Sequence, residues 1–331
     1  MLKYSGLILA LFISSCSTGG GLKNPNGFAL PQDIPQELQN RFEVTDSGQP
    51  TPSPSPSPSP SVAASSSHKK AKPKVVKKSK KVEKVFVYPN RRIEKDPIWE
   101  NEKVTFDVTF FGASAGEFTM QVLPFKVING RKVYHLHAEA HSSAVFNLFY
   151  KLNDSLESFF DYEGLFSHRF HLVLNQSKQT RDALELFDSE KMQTYYWNRK
   201  NHVTKGYTED KDFHPLDIPF SQDSFSSIFY IRTLPLEVGH VYSVPVVSEG
   251  RNWQAIVTVL RKEMLDTPLG KIRTIVVSPK TKFQGVMKQN EKNSFIWLSD
   301  DDRRFVMRVE AEVKIGTVVA KAIKVEKGTP P

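Results

Sequence analysis

The chain has 331 residues, a formal charge of +9 at neutral pH and a single cysteine, which excludes an intramolecular disulfide. The charge is not spread evenly: residues 69–95 carry 12 Lys/Arg against two acidic residues, whereas residues 96–331 carry 30 of each sign. A neutral body with one short basic stretch is not the footprint of a nucleic-acid binder.

In chain order, Lys3 and the apolar run Leu7–Ile13 lead into Ser14, Ser15 and Cys16. The run is too short to span a bilayer, which takes roughly 20 residues. It reads as a signal peptide over residues 1–15. Small residues directly before a cysteine resemble the lipobox of bacterial lipoproteins. That resemblance implies cleavage before Cys16, a diacylglycerol on its thiol and a further acyl chain on its amino group. Two or more chains anchor a protein where one holds it only marginally. Ser17, in place of Asp, leans towards the outer membrane by the enteric sorting rule, with the body of the chain in the periplasm.

Residues 16–95 are expected to form a tether. It contains Gly19, Gly20 and Gly21, a stretch from Ile34 to Val44 with room for a helical turn or two, and an alternating Pro/Ser/Thr run from Pro50 to Pro60. Such a composition buries too little apolar surface to offset its ordering entropy, and its Pro-Ser part favours extended polyproline II. The run Lys69–Lys84 (KKAKPKVVKKSKKVEK) has two open readings: a solvated linker, or contact with an anionic envelope polymer or lipid head groups. Nucleic acid is disfavoured by the export signal.

From Asp96 to about residue 327 the pattern changes. Val104, Phe106, Val108 and Phe110 alternate with polar residues, and so do Phe305, Met307, Val309, Ala311 and Val313. Period two marks strands with one buried face. Similar runs lie near 115–128, 132–142, 155–174, 181–197, 241–247, 253–263, 271–278 and 293–298, punctuated by Asn129-Gly130, Glu163-Gly164 and Thr267–Gly270. This predicts one all-β domain over residues 96–327, an antiparallel half-open barrel or sandwich. Residues 221–234 break the pattern: Phe225, Ile228, Phe229 and Arg232 stand at helical spacing and Pro235 stops the run. A short buried helix covering the concave face of the sheet is expected.

Several ordered blocks carry a family resemblance. Asp223–Gly239 (DSFSSIFYIRTLPLEVG), Glu263–Gly270 (EMLDTPLG) with Val277-Ser278-Pro279, Ile296–Asp301 (IWLSDD) with Arg303-Arg304, and Phe110–Gly116 (FFGASAG) together resemble the domain of unknown function 3108 family over roughly residues 100–325. Val306 departs from the proline common there. The resemblance implies an exported β-rich domain of the Gram-negative cell envelope, with no known reaction and no catalytic residues to carry over.

Residues with chemical potential are few. His135, His137, Glu139 and His141 share one face of a strand, with neighbours about 6.6 Å apart. They read as a polar solvent face, or as a Zn or Cu site built on His135 and His137 with help from His168 and His171. Asp300, Asp301 and Asp302 lack calcium-loop spacing and read as charged turn residues beside Arg303 and Arg304. Tyr195, Tyr196 and Trp197 offer a sugar-stacking run of which one member should be core. No nucleophile elbow, P-loop or zinc-protease motif occurs. No cofactor and no catalytic residue is therefore expected. The function read from the sequence is a non-enzymatic envelope lipoprotein whose tethered β domain binds a lipid, a glycan or an envelope protein. The alternatives are a hydrolase acting on cell-wall or lipid material, and a structural tether between membrane and wall.

Overall fold

The alternating segments form strands that run far longer than the turns between them. The computed structural model describes residues 28–47, 86–283, 286–287, 293–313 and 316–330. The signal peptide, Cys16, the Pro/Ser run and Lys69–Lys84 lie outside these residues. Among those described are the helices α1 (Gln36–Arg41) and α2 (Ser226–Arg232), and β1 (Val44–Asp46), β2 (Glu100–Phe110), β3 (Ala113–Ile128), β4 (Arg131–Ser142), β5 (Asn153–Asp161), β6 (Ser167–Asn175), β7 (Gln179–Asp188) and β8 (Gln193–His202). The remaining strands are β9 (Gly206–Pro215), β10 (Val241–Ser248), β11 (Arg251–Thr267), β12 (Gly270–Phe283), β13 (Val286–Met287), β14 (Ser294–Ser299), β15 (Val306–Val313) and β16 (Gly316–Thr329).

All strands belong to one antiparallel sheet, in the order β10-β11-β12-β14-β15-β16-β2-β3-β4-β5-β6-β7-β8-β9. Consecutive strands are neighbours almost throughout, the economical outcome for hairpin connections. Asn129 and Gly130, with φ of 50° and 71°, make the tight turn that the Asn-Gly pair calls for. Register shifts at Val108/Thr109, Leu123/Lys126, Phe159/Phe160, Val259/Arg261, Trp297/Leu298 and Ala322/Lys324 mark bulges. Bulges bend and twist strands, and six of them curl the sheet into a half-open barrel. Its end strands β9 and β10 do not pair. The chain ahead of α2 fills part of the seam instead: Gln222 bridges to Val246 of β10, and Ser167 of β6 donates its N–H to the Ser221 carbonyl.

The inward residues of the strands form the main core with α2. Phe106, Phe118, Val122, Leu136, Leu156, Leu172, Val257, Val277 and Trp297 surround Phe225, Ile228, Phe229 and Ile231. The expected buried helix is thus present, shorter than residues 221–234, and Asp223 caps it by accepting the Phe225 and Ser226 N–H groups.

One expectation is corrected. Residues 28–47 fall inside the stretch read as tether, yet they lie as a strap across the outer face of the sheet. β1 pairs with β3 from Val44–Ile128 to Asp46–Lys126. Ile34, Leu38 and Phe42 pack with Ile128, Val133, Phe159, Leu184, Leu186, Tyr195 and Trp197 into a second core. The physical reason is that these strands are apolar on both faces, so the outer face needs its own cover. Residues 86–95 are also held to the body: the Arg91 N–H donates to Glu163 O, and Arg92 bonds Tyr134 and stacks on Tyr162.

Candidate functional site

Strand β4 carries the histidines with the most chemical potential. His135 and His137 are buried rather than facing solvent, and only His141 stays open. His135 Nε2 lies 2.8 Å from Glu157 Oε1 on β5, and its ring stacks on Phe159. His137 Nδ1 lies 2.9 Å from the Gln121 side-chain amide on β3. Phe28, at the start of the strap, sets its ring edge-on to both His137 and His171, at 5.9 and 5.4 Å. Burial holds the His137 imidazole below its ordinary value. His168 and His171 bond Asp161 and Asp182, on separate partners. Among the described residues no three His, Cys, Asp or Glu side chains converge as metal ligands. The polar face expected to meet water is thus covered at His135 and His137 and open at Glu139 and His141.

The aromatic run divides across the sheet. Tyr196 points into the main core, while Tyr195 and Trp197 belong to the second core under the strap. Asp33 of the strap accepts from Trp197 Nε1 and from Arg199. All three rings are buried, so none offers a stacking platform to a sugar. The acidic turn behaves as a turn. Asp301 accepts from the Arg303 and Arg304 N–H groups, and Asp300 pairs with Lys262 and Arg273.

Two polar clusters escape sequence reading. The first joins α2 to the start of β2. Arg232, 3% exposed, donates Nη1 to Glu102 Oε1 at 2.5 Å and Nη2 to the Pro97 carbonyl at 2.7 Å. Arg303 reaches the other Glu102 oxygen at 2.6 Å and lies over the Trp99 ring. A bidentate charge pair of this kind fixes a helix end inside a barrel.

The second cluster lies on the inner side of β7 and β8, beneath the β10–β11 turn. Arg181 donates to Glu249 Oε1 at 2.7 Å, to the Tyr196 hydroxyl at 2.6 Å and to Asn198 Oδ1 at 2.7 Å. Glu185 accepts the Gly250 N–H at 3.1 Å. Burial pushes the Glu185 carboxyl up to about 8 and raises the Tyr196 phenol. Gly250 has φ of 68°, and a Cβ there would fall 2.4 Å from the His214 ring of β9, so only glycine closes this turn against β9. The cavity among Arg181, Glu185, Tyr196, Ser224 and Glu249 is about 20 Å³, room for one water. Its charges are spent on one another, and it acts as a clamp across the open side of the barrel.

The class that this geometry defines is a half-open antiparallel β barrel with a helix plugging its interior and an N-terminal strap sealing part of its outer face. The chain belongs to the family described as "Protein of unknown function (DUF3108)", whose model matches residues 105–323. No curated protein matches the chain. Among solved structures it is similar to a β-barrel-like protein of domain of unknown function DUF1849 from Brucella abortus. That likeness has 8% identity and a TM-score of 0.45, and covers 69% of this chain and 98% of the other. It is also similar to a protein with a YmcC-like fold, described as exported, from Bacteroides fragilis (9% identity, TM-score 0.32, 70% and 97% covered). A third, described as a lipoprotein, comes from Parabacteroides distasonis (9% identity, TM-score 0.27, 70% and 98% covered).

Proposed function

We propose that this chain is a lipid-anchored protein of the bacterial cell envelope, attached through Cys16, whose β domain works by docking rather than by catalysis. The observation that carries the docking reading is that the sheet's inner face and part of its outer face are occupied by the chain's own side chains. Carriage of a lipid or glycan inside the barrel calls for a concave, partly empty site of several hundred Å³. Here α2 and its aromatic residues stand in that place. What remains for a partner is the rims and the sheet edges.

The strap also changes how the anchor works. About 12 residues separate Cys16 from Phe28, a span of about 40 Å when fully extended. With the strap in place, the domain is held close to the membrane, and residues 48–85 start and end on the same body. The hydrolase alternative has one favourable feature, the raised carboxyl of Glu185 in the Arg181 cluster. A one-water cavity with a saturated arginine leaves no space for a substrate.

Metabolic labelling with an alkyne fatty acid tests the anchor: the wild-type chain takes up label and sediments with membranes, and Cys16→Ser does neither. Absence of label on the wild type sinks the anchor reading. Native mass spectrometry of the purified chain tests docking against carriage: a non-covalent lipid or glycan mass, removed by denaturation, would restore the carrier.

A further inference from the structure

We propose that one rim of the barrel inserts into the head-group region of an anionic bilayer. The β2–β3 turn and the β4–β5 loop would enter the membrane, and neighbouring rim lysines would lie on lipid phosphates.

Phe111 in the β2–β3 turn is 73% exposed, and Val145, Leu148 and Phe149 in the β4–β5 loop are 71, 81 and 74% exposed. Other large apolar residues such as Val241 and Met264 are also exposed, but these four are the most open of the body's rim and sit in two adjoining segments, and it is a contiguous apolar patch rather than a scattered residue that marks a contact surface. The antiparallel order puts both segments at the same end of the sheet, and hydrogen bonds join them: Ser143 donates its N–H to Ala115 O at 2.9 Å and its hydroxyl to Ser114 O at 3.3 Å.

The loop is also built to leave water. Five successive N–H groups, Phe146 to Tyr150, are bonded within it. Phe146 donates to Ser143 Oγ, Asn147 to Ser143 O, Leu148 to Val145 O, and both Phe149 and Tyr150 to Phe146 O. A loop whose backbone donors are satisfied internally enters the head-group and acyl boundary without the desolvation cost of bare N–H groups.

Charge favours a lipid surface over a protein groove. The rim continues through the β6–β7 turn, where Ser177 bonds Lys151 O, and the β8–β9 turn, where Val203 donates to Lys178 O. Rim segments 110–114, 143–152, 175–179 and 200–206 hold no carboxylate of their own and expose Lys151 and Lys205, with Lys200 partly buried and Lys178 buried beside them; Asp107 of β2 accepts from the Ser114 hydroxyl. Desolvation, followed by the cations Lys200, Lys205 and Lys178, holds the His202 imidazole below its ordinary value. Apolar tips beside basic residues match an acyl boundary below a layer of phosphates.

The length of chain before the strap agrees. Phe28 sits against His137 and His171, near the middle of β4 and β6, so about 12 residues run from there to Cys16. They are long enough to place an anchored Cys16 in the bilayer that the rim would enter. This last point rests on the lipid-anchor reading; the exposure, loop bonding and charge do not.

The test therefore uses the full chain carrying Cys16→Ser, which removes its only cysteine and any acyl chain. Leu148→Cys is labelled with an environment-sensitive fluorophore, and Leu269→Cys, in the turn at the opposite end of the sheet, is the control. Phosphatidylcholine–phosphatidylglycerol vesicles are expected to blue-shift the residue-148 probe, with quenching by brominated acyl chains, and to leave the residue-269 probe unchanged. Adding Phe111→Ser and Phe149→Ser should weaken vesicle partition by about tenfold or more, the equivalent of losing burial of one or two large side chains. A silent residue-148 probe, or equal shifts at both positions, overturns the proposal and leaves the rim as a face for a protein partner. Because no acyl chain is present, that failure leaves the Cys16 anchor untouched.

Discussion

Arg232 shows what a single charged residue does inside this barrel. It lies at the end of α2 with its guanidinium on Glu102 and two backbone carbonyls, all out of water. Removing it would leave Glu102 with Arg303 as its only cation and the Trp99 N–H as a neutral donor, in a buried setting. Arg232→Ala is expected to cost about 3 kcal/mol of stability, read from denaturant unfolding. A loss below ~1 kcal/mol would mean that Arg303 alone satisfies Glu102. Glu185 carries the opposite lesson. Its carboxyl sits at about 8 in the folded chain against 4.5 in an exposed one. Between those values the folded chain holds a proton that the unfolded chain has released. Its contribution is therefore complete below pH ~4.5, falls as pH rises and levels off above ~8. Asp154, pushed up to about 7 by burial, adds a slope of the same sign. Glu185→Gln should flatten part of the decline in melting temperature between pH 5 and 8, and Asp154→Asn the rest. An unchanged slope in the double variant would place the pH dependence elsewhere.

At the scale of the element, the strap is the unexpected piece. α1 has six residues, too few to hold a helix in water by itself, so packing makes it. Leu38 and Phe42 are its anchors, 3% and 2% exposed against Trp197, Leu184 and their neighbours. Phe42→Ala is expected to destabilise the chain by about 3 kcal/mol and to raise binding of a hydrophobic dye, because the outer face of β5, β7 and β8 would open. A change under ~1 kcal/mol with no dye signal would show that the outer face does not depend on its cover. The α2 plug was easier to foresee than the strap. It carries Phe225, Ile228 and Phe229 at helical spacing within five positions, whereas the strap spreads Ile34, Leu38 and Phe42 over nine positions between glycine-rich and proline-rich sequence.

At the scale of the molecule, the strap places both ends of residues 48–85 on one body. Residues 28–46 and 86–95 are both fixed to the same body. Cleavage at a protease site engineered between residues 55 and 65 should leave the N-terminal fragment bound to the barrel through gel filtration. Separation of the two fragments would restore a tether spanning from Cys16 to residue 86, about 240 Å when extended. For the anchor proposed at Cys16 the two geometries imply different work: one would keep the domain at the membrane, and the other would let it reach across a meshwork.

The sequence by itself determined most of the strands, though not β9 or β16, together with the buried helix, the Asn129-Gly130 hairpin and the family. Those signals are local: period-two alternation, helical spacing and ordered blocks each sit within a few residues. Tertiary structure alone decided which faces met water. Alternation in β7 marks Leu184 and Leu186 as core and Glu185 as surface, yet all three are buried, because the strap covers one face and the β10–β11 turn closes over the other. The same covering buried His135, His137 and Trp197, which a single strand presents as open. The Arg181–Glu249 and Arg232–Glu102 pairs join residues 68 and 130 positions apart. No periodicity records such a pairing, since it exists only once the sheet has curled and brought its distant strands together.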